Sequence, residues 1–515
     1  MPDRPSSHRI EVGLSVEPEA VDARPDVAAP FCIALFGDFS ARSHRGIVEA
    51  GRMIAGREPV VVDRDNLDEV LARLRPELHV RLQGERDPAV RVRFAELDDF
   101  HPDRLYDRLP VFEGVRELRR RLVESGGSAS PPRESQGWGG GGGGGSEVAG
   151  GALPRPSGTP GNLLDQIVRE SPGAADERSP LEGGDLQAYL NRIVAPYLVP
   201  AADPRRQALI AELDAAAASG IRALLHHPEF QGLEALWRGV RLLAHGVESD
   251  TDVRLYLIDV TKAELAADQL ESADAGSSAV CRLLADPPAA VRGAGWGALG
   301  GLYAFTPEAR DLQLLGRLGT VAQLVGAPWI GGADPRLVGC DSLESTPDPS
   351  DWAAASDPGW LSLRRLPEAR WIGLALPRFL LRLPYGEHGT RCEGVPFEEF
   401  PDIPAHEEYL WGNPAFPCLL LLAQAVAESG RPAYPGMNLE IGGLPLHLLL
   451  GPGGTTTKPC AEAVLGERAV ERIMDQGLMP LISMRDSDRI RLLRFQSIAE
   501  PMTALGGRWM AAPQS

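Results

Sequence analysis

Apolar and polar positions alternate along the first part of the chain as they do in β-strands. Ile10, Val12 and Leu14 fall on one face of a strand predicted over 9–16. A polar stretch follows, which would let this strand sit away from the body of the fold. The next predicted elements are buried strands at 31–36 and 59–63, a helix at 66–74, strands at 79–82 and 89–94, and a helix at 111–123. We therefore predict a small α/β domain with a detachable N-terminal strand.

The second part of the chain also mixes helical and strand patterns. Its predicted elements are helices at 186–196, 204–225, 226–244, 311–326 and 415–429, and strands at 253–260, 371–382 (broken at Pro377) and 444–450. Alternation of buried strands with helices indicates α/β architecture here as well. The fold class predicted for the whole chain is thus α/β, in the broad sense of a mixed α+β fold.

A short amphipathic helix is predicted ahead of these elements. Asn162 can cap it, and Leu163, Leu164, Ile167 and Val168 form one apolar face. Flexible segments lie on both sides, so packing within its own domain cannot hold this helix. It is therefore either disordered or a ligand for another protein.

Seven consecutive glycines at 139–145 separate the two parts. The surrounding Gly, Ser and Pro residues have little to bury and predict a flexible tether, which at roughly 5–6 Å × √n reaches on the order of 30 Å. The predicted organisation is a first part at 1–125, a linker at 126–161, a helix with a connecting segment at 162–200, and a second part at 201–515.

Composition narrows the possible partners and location. The formal net charge of −19 argues against nucleic acid and anionic membranes as main partners, because both favour Lys and Arg. The six cysteines are scattered without CxxC spacing and are predicted to be reduced core residues. The N-terminus has no apolar signal region, and the longest apolar run, 418–426, is too short for a membrane span. We expect a cytoplasmic protein without direct membrane insertion.

Two glycine-rich segments invite comparison with nucleotide-binding loops. Residues 295–300 match GxGxxG, but they follow two prolines and run into a strand-like LYAF instead of a helix. Residues 451–458 (GPGGTTTK) lack the Gly before Lys458 and the Ser or Thr after it that a phosphate loop needs, which favours a surface turn. No cofactor is predicted.

The remaining polar clusters also favour structural roles. The sequence His226-His227-Pro228-Glu229 is predicted to begin and cap a helix, because adjacent histidines project in different directions from a helix. The acidic turn 63–69 lacks the Gly and terminal Glu of a calcium loop. No Ser/His/Asp or Cys/His arrangement has the context of a nucleophilic site. We therefore predict neither catalytic residues nor a metal site.

Ten phrases, in order, resemble the two contractile sheath subunits of the bacterial type VI secretion system. Those of the first part resemble the small subunit: RIEVGLSVEP, IALFGDFSAR, VVVDRDNLDEVLARLRPEL and ELDDFHPDRL. Those of the second part resemble the large subunit: LLHHPEFQGLEALWRGVRLL, LYLIDVTKAELAAD, GWGALGGLYAF, LPRFLLRLPYG, EEYLWGNPAFPCLLLL and MDQGLMPLISMRDSDR. The resemblance covers residues 9–123 and 162–500.

The resemblance implies a structural, non-enzymatic protein that polymerises with itself. Such subunits pair and stack into a helical tube around an inner tube on a baseplate, and contraction drives the inner tube outward. Each unit lends terminal strands to its neighbours, a role for which Ile10, Val12 and Leu14 are placed.

The resemblance also implies roles for two helices of this chain. In the family, a short helix near the start of the large subunit is recognised by a hexameric AAA+ unfoldase, and Leu163, Leu164, Ile167 and Val168 fall at that position. In the family, another helix of the large subunit packs against the small subunit. Its matching residues here are Leu233, Leu236 and Trp237, which share one helical face and read from the pattern alone as core.

Two departures from the family leave alternatives open. The subunits are usually separate chains, and the large subunit usually continues with further strands beyond the region matching 492–500. We therefore expect that a large-subunit tail is missing. The leading hypothesis is a fused sheath protomer. The alternatives are a sheath-like adaptor or cap that does not polymerise, and a nucleotide-binding enzyme that uses the glycine-rich loops.

Overall fold

The computed structural model describes residues 30–49, 51–82, 89–124, 204–247, 252–288, 291–353, 357–387, 389–430, 432–451 and 454–510. Several predicted features lie outside these ranges: the N-terminal strand with Ile10, Val12 and Leu14, the linker, the helix with Leu163, Leu164, Ile167 and Val168, and the helix predicted at 186–196.

The strands come at intervals along the whole described chain. They are β1 (Phe31–Gly37), β2 (Val60–Val62), β3 (Glu77–Val80), β4 (Val90–Arg93), β5 (Val253–Asp259), β6 (Trp296–Phe305), β7 (Trp329–Ala333), β8 (Ile372–Leu376), β9 (Phe379–Leu380), β10 (Trp411–Gly412), β11 (Met437–Ile441), β12 (His447–Gly451), β13 (Gly454–Lys458), β14 (Met479–Ser483) and β15 (Ile490–Arg494).

The helices alternate with these strands. They are α1 (Arg52–Ala55), α2 (Leu67–Leu74), α3 (Pro102–Arg108), α4 (Glu113–Glu124), α5 (Pro204–Leu225), α6 (Pro228–Gly246), α7 (Lys262–Glu271), α8 (Ala279–Ala285), α9 (Ala309–Val325), α10 (Pro358–Arg364), α11 (Ala415–Ser429) and α12 (Glu467–Asp475). The α/β class predicted from the sequence is confirmed.

Strands from both parts of the chain build one large sheet. Among the described residues it has nine strands in the order β11-β15-β14-β8-β7-β6-β1-β5-β2. Strand β1, from the first part, lies between β5 and β6 of the second part and runs parallel to both. Its register places Phe31 opposite Val253 and Gly37 opposite Asp259. Strand β2 pairs antiparallel with β5 and forms one edge of the sheet.

The composition of β1 suits an interior position. All seven of its residues, FCIALFG, are buried, as expected of a parallel strand covered on both faces. Successive side chains point to opposite faces, so Phe31, Ile33 and Leu35 enter one hydrophobic core. Cys32 and its alternate neighbours enter the other. One short segment of the first part thus contributes to both cores.

Helices cover both faces of the sheet. One core contains buried residues of α6, α11 and the C-terminal half of α5, together with most of the apolar residues of the first part. The other core contains buried residues of α7, α8, α9, α10 and α12. The sheet is therefore the middle layer of a three-layer α/β/α arrangement.

The described residues up to Arg116 and from Leu213 onward belong to one compact unit. The segment that the sequence presents as a small α/β domain therefore shares its sheet and core with the second part. Periodicity identified the strand at 31–36, but it carries no information on which strands pair with it. A second unit spans 117–212, and in its described residues Glu117 pairs with Arg120 and Arg121.

Candidate functional site: the junction of the two parts

Helix α6 lies against the end of β1. Trp237 is fully buried, its Nε1 donates to the carbonyl oxygen of Phe39 at 3.1 Å, and the two rings meet edge to face at 5.7 Å. Leu236 approaches Gly37 so closely that a Cβ there would lie 3.2 Å from its Cδ1. Leu233 is buried in the same core. The three residues assigned to packing between the parts thus lie on the helix that contacts the first part.

An aromatic cluster continues this junction. Phe94 and Phe100 of the first part stack with ring centroids 4.1 Å apart. Phe230 of α6 contacts both rings, at 5.8 Å and 5.5 Å. Aromatic pairs at such separations add to the stabilisation that burial itself provides. The junction is therefore closed by large apolar side chains from both parts.

A buried carboxylate ties the first part to the start of α7. Glu264 has no exposed side-chain surface, and both of its oxygens accept from Arg57, at 2.8 Å and 2.9 Å. Its Oε2 also accepts the N–H of Thr261 in a capping box. Burial alone would raise the pKa of Glu264, but hydrogen bonds from Arg57 and from backbone N–H groups bring it below its usual value. Arg42 reaches the Asp259 carboxylate at 3.3 Å.

A second buried network joins α6 to the segment after β9. Arg382 donates to Glu399 at 2.7 Å and 3.0 Å and to Glu234 at 2.8 Å. Arg238 donates to Glu234 at 2.7 Å and to the Tyr385 hydroxyl at 2.8 Å. Burial would raise the pKa of Glu399, but the Arg382 charge holds it at about 2. Glu399 is therefore ionised at neutral pH.

Helix α3 of the first part anchors a loop of the second part. Both oxygens of Asp103 accept backbone N–H groups, from Glu393 at 2.8 Å and Gly394 at 2.9 Å. His101 and Cys392 place ligand atoms close to Asp103, in a geometry that could hold a metal ion. Burial, followed by the charge of Asp103, raises the pKa of the Cys392 thiol to about 12, so its metal-binding thiolate form is disfavoured. The cluster is better explained as a hydrogen-bonded contact between the parts.

Two adjoining cavities of about 430 Å³ and 670 Å³ lie where several sheet strands end, and share Gly232, Leu236 and Leu302. Such clefts are where open α/β sheets commonly bind ligands. The Lys262 ammonium is already held there by Asp311 at 2.6 Å. Its charge is thus satisfied within the protein.

Residues 296–300 of the glycine motif lie within β6, and the motif does not form a turn from a strand into a helix. A Cβ at Gly297 would lie 2.3 Å from Cε2 of Phe31, and one at Gly301 would lie 2.3 Å from Cζ2 of Trp329. These glycines let large side chains of neighbouring strands lie over β6. Packing therefore accounts for the motif that resembles a dinucleotide loop.

The other polar motifs also have structural roles. The predicted helix cap at 226–229 is confirmed, because the His227 side chain accepts the N–H of Glu229 and Pro228 occupies the first turn of α6. In the acidic turn, Asp63 accepts the N–H groups of Asp65 and Asn66 at 2.9 Å each. Residues 451 and 454–458 belong to the antiparallel pair of β12 and β13.

Two family comparisons match the two parts of the chain separately. A family described as "EvpB/VC_A0108, tail sheath N-terminal domain" matches residues 207–499, more than half of the chain. A second, described as "Type VI secretion system, VipA, VC_A0107 or Hcp2", matches residues 3–129. The chain belongs to the type VI secretion tail sheath family. It fuses the small and large sheath subunits, as the resemblance of its phrases indicated.

A curated relative supports this assignment. The type VI secretion system sheath protein TssC1 of Pseudomonas aeruginosa is 29% identical over 306 residues, which is 57% of this chain and 61% of the relative. The chain thus spans less than two thirds of that protein's length. Among the helices in the described ranges, none is long and apolar enough to cross a membrane.

The junction of this sheath protein and the Arg382 network beside it contain residues that the sequence did not single out. Glu264 could have been recognised as a helix-capping residue, because Thr261 and Glu264 have the capping-box spacing. Nothing in the sequence distinguishes Arg57 or Arg382 from the many exposed arginines. Their roles depend on contacts between residues more than a hundred positions apart.

Proposed function

We propose that this chain is the protomer of a contractile type VI secretion sheath. It polymerises in the cytoplasm into a helical tube around an inner tube attached to a baseplate, and contraction of the tube drives effector injection. Its role is structural and not enzymatic. The observation that carries the proposal is that β1 of the small-subunit part lies inside the sheet of the large-subunit part.

The junction supports this role mechanically. A sheath protomer that transmits contraction needs its two parts to move as one body. The buried network around Glu264, together with the aromatic contacts of Phe230, resists relative movement because separation would expose charges and apolar surface together. A flexible tether alone would transmit no such force.

Assembly is proposed to use the N-terminal strand. Ile10, Val12 and Leu14 would pair with the sheet edge of a neighbouring protomer, since an edge strand presents unpaired backbone groups. Within the described ranges, β2 and β11 are the outermost strands of the large sheet. The strand would thus link protomers without belonging to the hydrophobic core of its own protomer.

Deleting residues 1–17 should abolish or alter tubes while leaving the protomer folded, because the deletion removes backbone pairing but none of the described core. Negative-stain microscopy of the purified full chain should show long striated tubes, and the deletion variant should give discrete particles. The melting temperature of the unassembled protein should be unchanged. Discrete particles from the full chain would favour the adaptor or cap. A large fall in melting temperature would place the strand in its own domain.

We further propose that Leu163, Leu164, Ile167 and Val168 form the recognition helix of a AAA+ unfoldase that recycles contracted sheaths. Replacing Leu164 and Ile167 with Asp should abolish binding to the N-domain of the cognate unfoldase, because an amphipathic helix binds a groove through its apolar face. Fluorescence anisotropy would measure the affinity. Gln166→Asp is the matched control, since it adds a charge on the polar face. Unchanged affinity in the double variant would remove this helix from recycling.

A further inference from the structure

The chain has two lysines, Lys262 and Lys458, and their surroundings differ. The Lys262 ammonium is 2.6 Å from Asp311 Oδ2 and donates to the carbonyl oxygen of Ala304 at 2.7 Å. Lys458 ends β13 and is half-buried, and within the described ranges no carboxylate forms an ion pair with it. Its closest polar contact is His406 Nδ1, at 3.2 Å. One amine is therefore neutralised by a carboxylate and the other faces an imidazole.

His406 is oriented to accept a proton. Its Nε2 lies 3.2 Å from Glu462 Oε1, so the neutral ring donates there and presents Nδ1 to Lys458 as an acceptor. The ring stacks on Trp411 at 4.9 Å, and Trp411 Nε1 donates to the His406 carbonyl oxygen at 2.8 Å. Glu462 in turn is paired with Arg378. These contacts fix both the orientation and the tautomer of the ring.

The electrostatics favour a reactive amine. Burial lowers the pKa of Lys458, against the opposing charges of Glu344, Glu462 and Glu407. Burial would raise the pKa of Glu462, but His406 and Arg378 hold it at about 2, so this carboxylate stays ionised beside the imidazole. The arrangement is thus that of an activated nucleophile. Lys458 is the nucleophile, His406 is its base, and Glu462 orients the base.

We propose that Lys458 is a site of acylation by small activated acyl compounds such as acyl phosphates. The lone pair of the neutral amine attacks the acyl carbonyl carbon and forms a C–N bond. The C–O bond to phosphate breaks, and phosphate leaves with the bonding electrons. The amine proton passes to His406 Nδ1, where Glu462 stabilises the imidazolium, and then to solvent. The product amide has lost the positive charge that lay 5.1 Å from the Tyr409 ring.

Acetyl phosphate tests the proposal on the full-length chain, with Lys262 as the internal control. Peptide-resolved mass spectrometry should show Lys458 acetylated about tenfold faster than Lys262 or more, because burial lowers the pKa of Lys458 and a positioned general base adds to the rate. In guanidinium-denatured protein the two rates should become similar. Equal rates at the two lysines in the folded chain would overturn the proposal.

His406→Gln separates base catalysis from simple exposure. This variant should lower the Lys458 rate about tenfold or more and leave the Lys262 rate unchanged, because only Lys458 contacts the imidazole. The pH profile of the wild-type protein is a second readout that needs no variant. Lys458 acetylation should reach its plateau at a lower pH in the folded protein than in guanidinium-denatured protein, because burial lowers the pKa of Lys458 in the folded chain. An unaltered Lys458 acetylation rate in a folded His406→Gln protein would show that the cluster has only a packing role. Coincident Lys458 pH profiles in folded and denatured protein would show the same.

Discussion

Cutting the chain near Gly142 should leave both parts in one particle. Strand β1 lies between β5 and β6, so separation would break two rows of backbone hydrogen bonds and open both cores. A flexible linker adds effective concentration but no contacts. A protease site inserted at Gly142, followed by gel filtration at micromolar concentration, measures the outcome. Elution of two separate fragments would contradict both the shared sheet and the two-subunit interpretation.

The second part expressed without residues 1–125 should fail to fold. Burying a large apolar side chain contributes roughly 1.5–3 kcal/mol, and β1 alone buries Phe31, Ile33, Leu35 and Phe36. Their sum approaches the roughly 5–15 kcal/mol net stability of a whole domain. The gap would also leave β5 and β6 with exposed edges that favour aggregation. Co-expression of residues 1–125 as a separate chain should restore soluble protein, and this rescue is the control.

The sequence predicted the elements of this fold better than their arrangement. The run at 31–36 is uniformly apolar, which is typical of a strand covered on both faces, and β1 has that environment. Its place between β5 and β6 depends on contacts across more than two hundred residues. Local periodicity carries no such information. The break at Pro377 was visible because proline cannot donate to a ladder, and β8 ends at Leu376.

The junction, and the buried ion network beside it within the second part, were predictable only where their residues are apolar. Leu233, Leu236 and Trp237 share a face at helical spacing, so their burial follows from the pattern. The buried carboxylates Glu234 and Glu399 are different, because charged residues are almost never fully buried unless paired. Their shared partner Arg382 lies 148 positions from Glu234 along the chain. Only the tertiary structure shows that the three meet.

Replacing Arg382 with Met should destabilise the protein by about 3–5 kcal/mol, because it leaves two buried carboxylates without their shared cation. Glu234 and Glu399 both bind the Arg382 guanidinium, and both are fully buried. Met keeps most of the side-chain volume, so the loss reports charge and not a cavity. Urea unfolding of the full chain measures the free energy of unfolding. Arg365→Met is the matched control, since Arg365 pairs with Glu500 at 3.3 Å on the surface. It should cost about 0–1 kcal/mol.

Acid titration identifies the same charges independently. Arg382 holds the pKa of buried Glu399 at about 2, whereas an unfolded Glu has a pKa of about 4.3. A depressed pKa gives stability that is fully present above the unfolded value and is lost as the pH falls toward the folded value. Wild-type protein should therefore lose stability between about pH 4.3 and 2, and the Arg382→Met variant should lose less stability over the same pH range.

Adding Glu399→Gln to Arg382→Met should recover part of the stability lost at neutral pH, because it removes one uncompensated charge. If Arg382→Met costs no more than Arg365→Met, the ion network is not what holds α6 to the segment after β9.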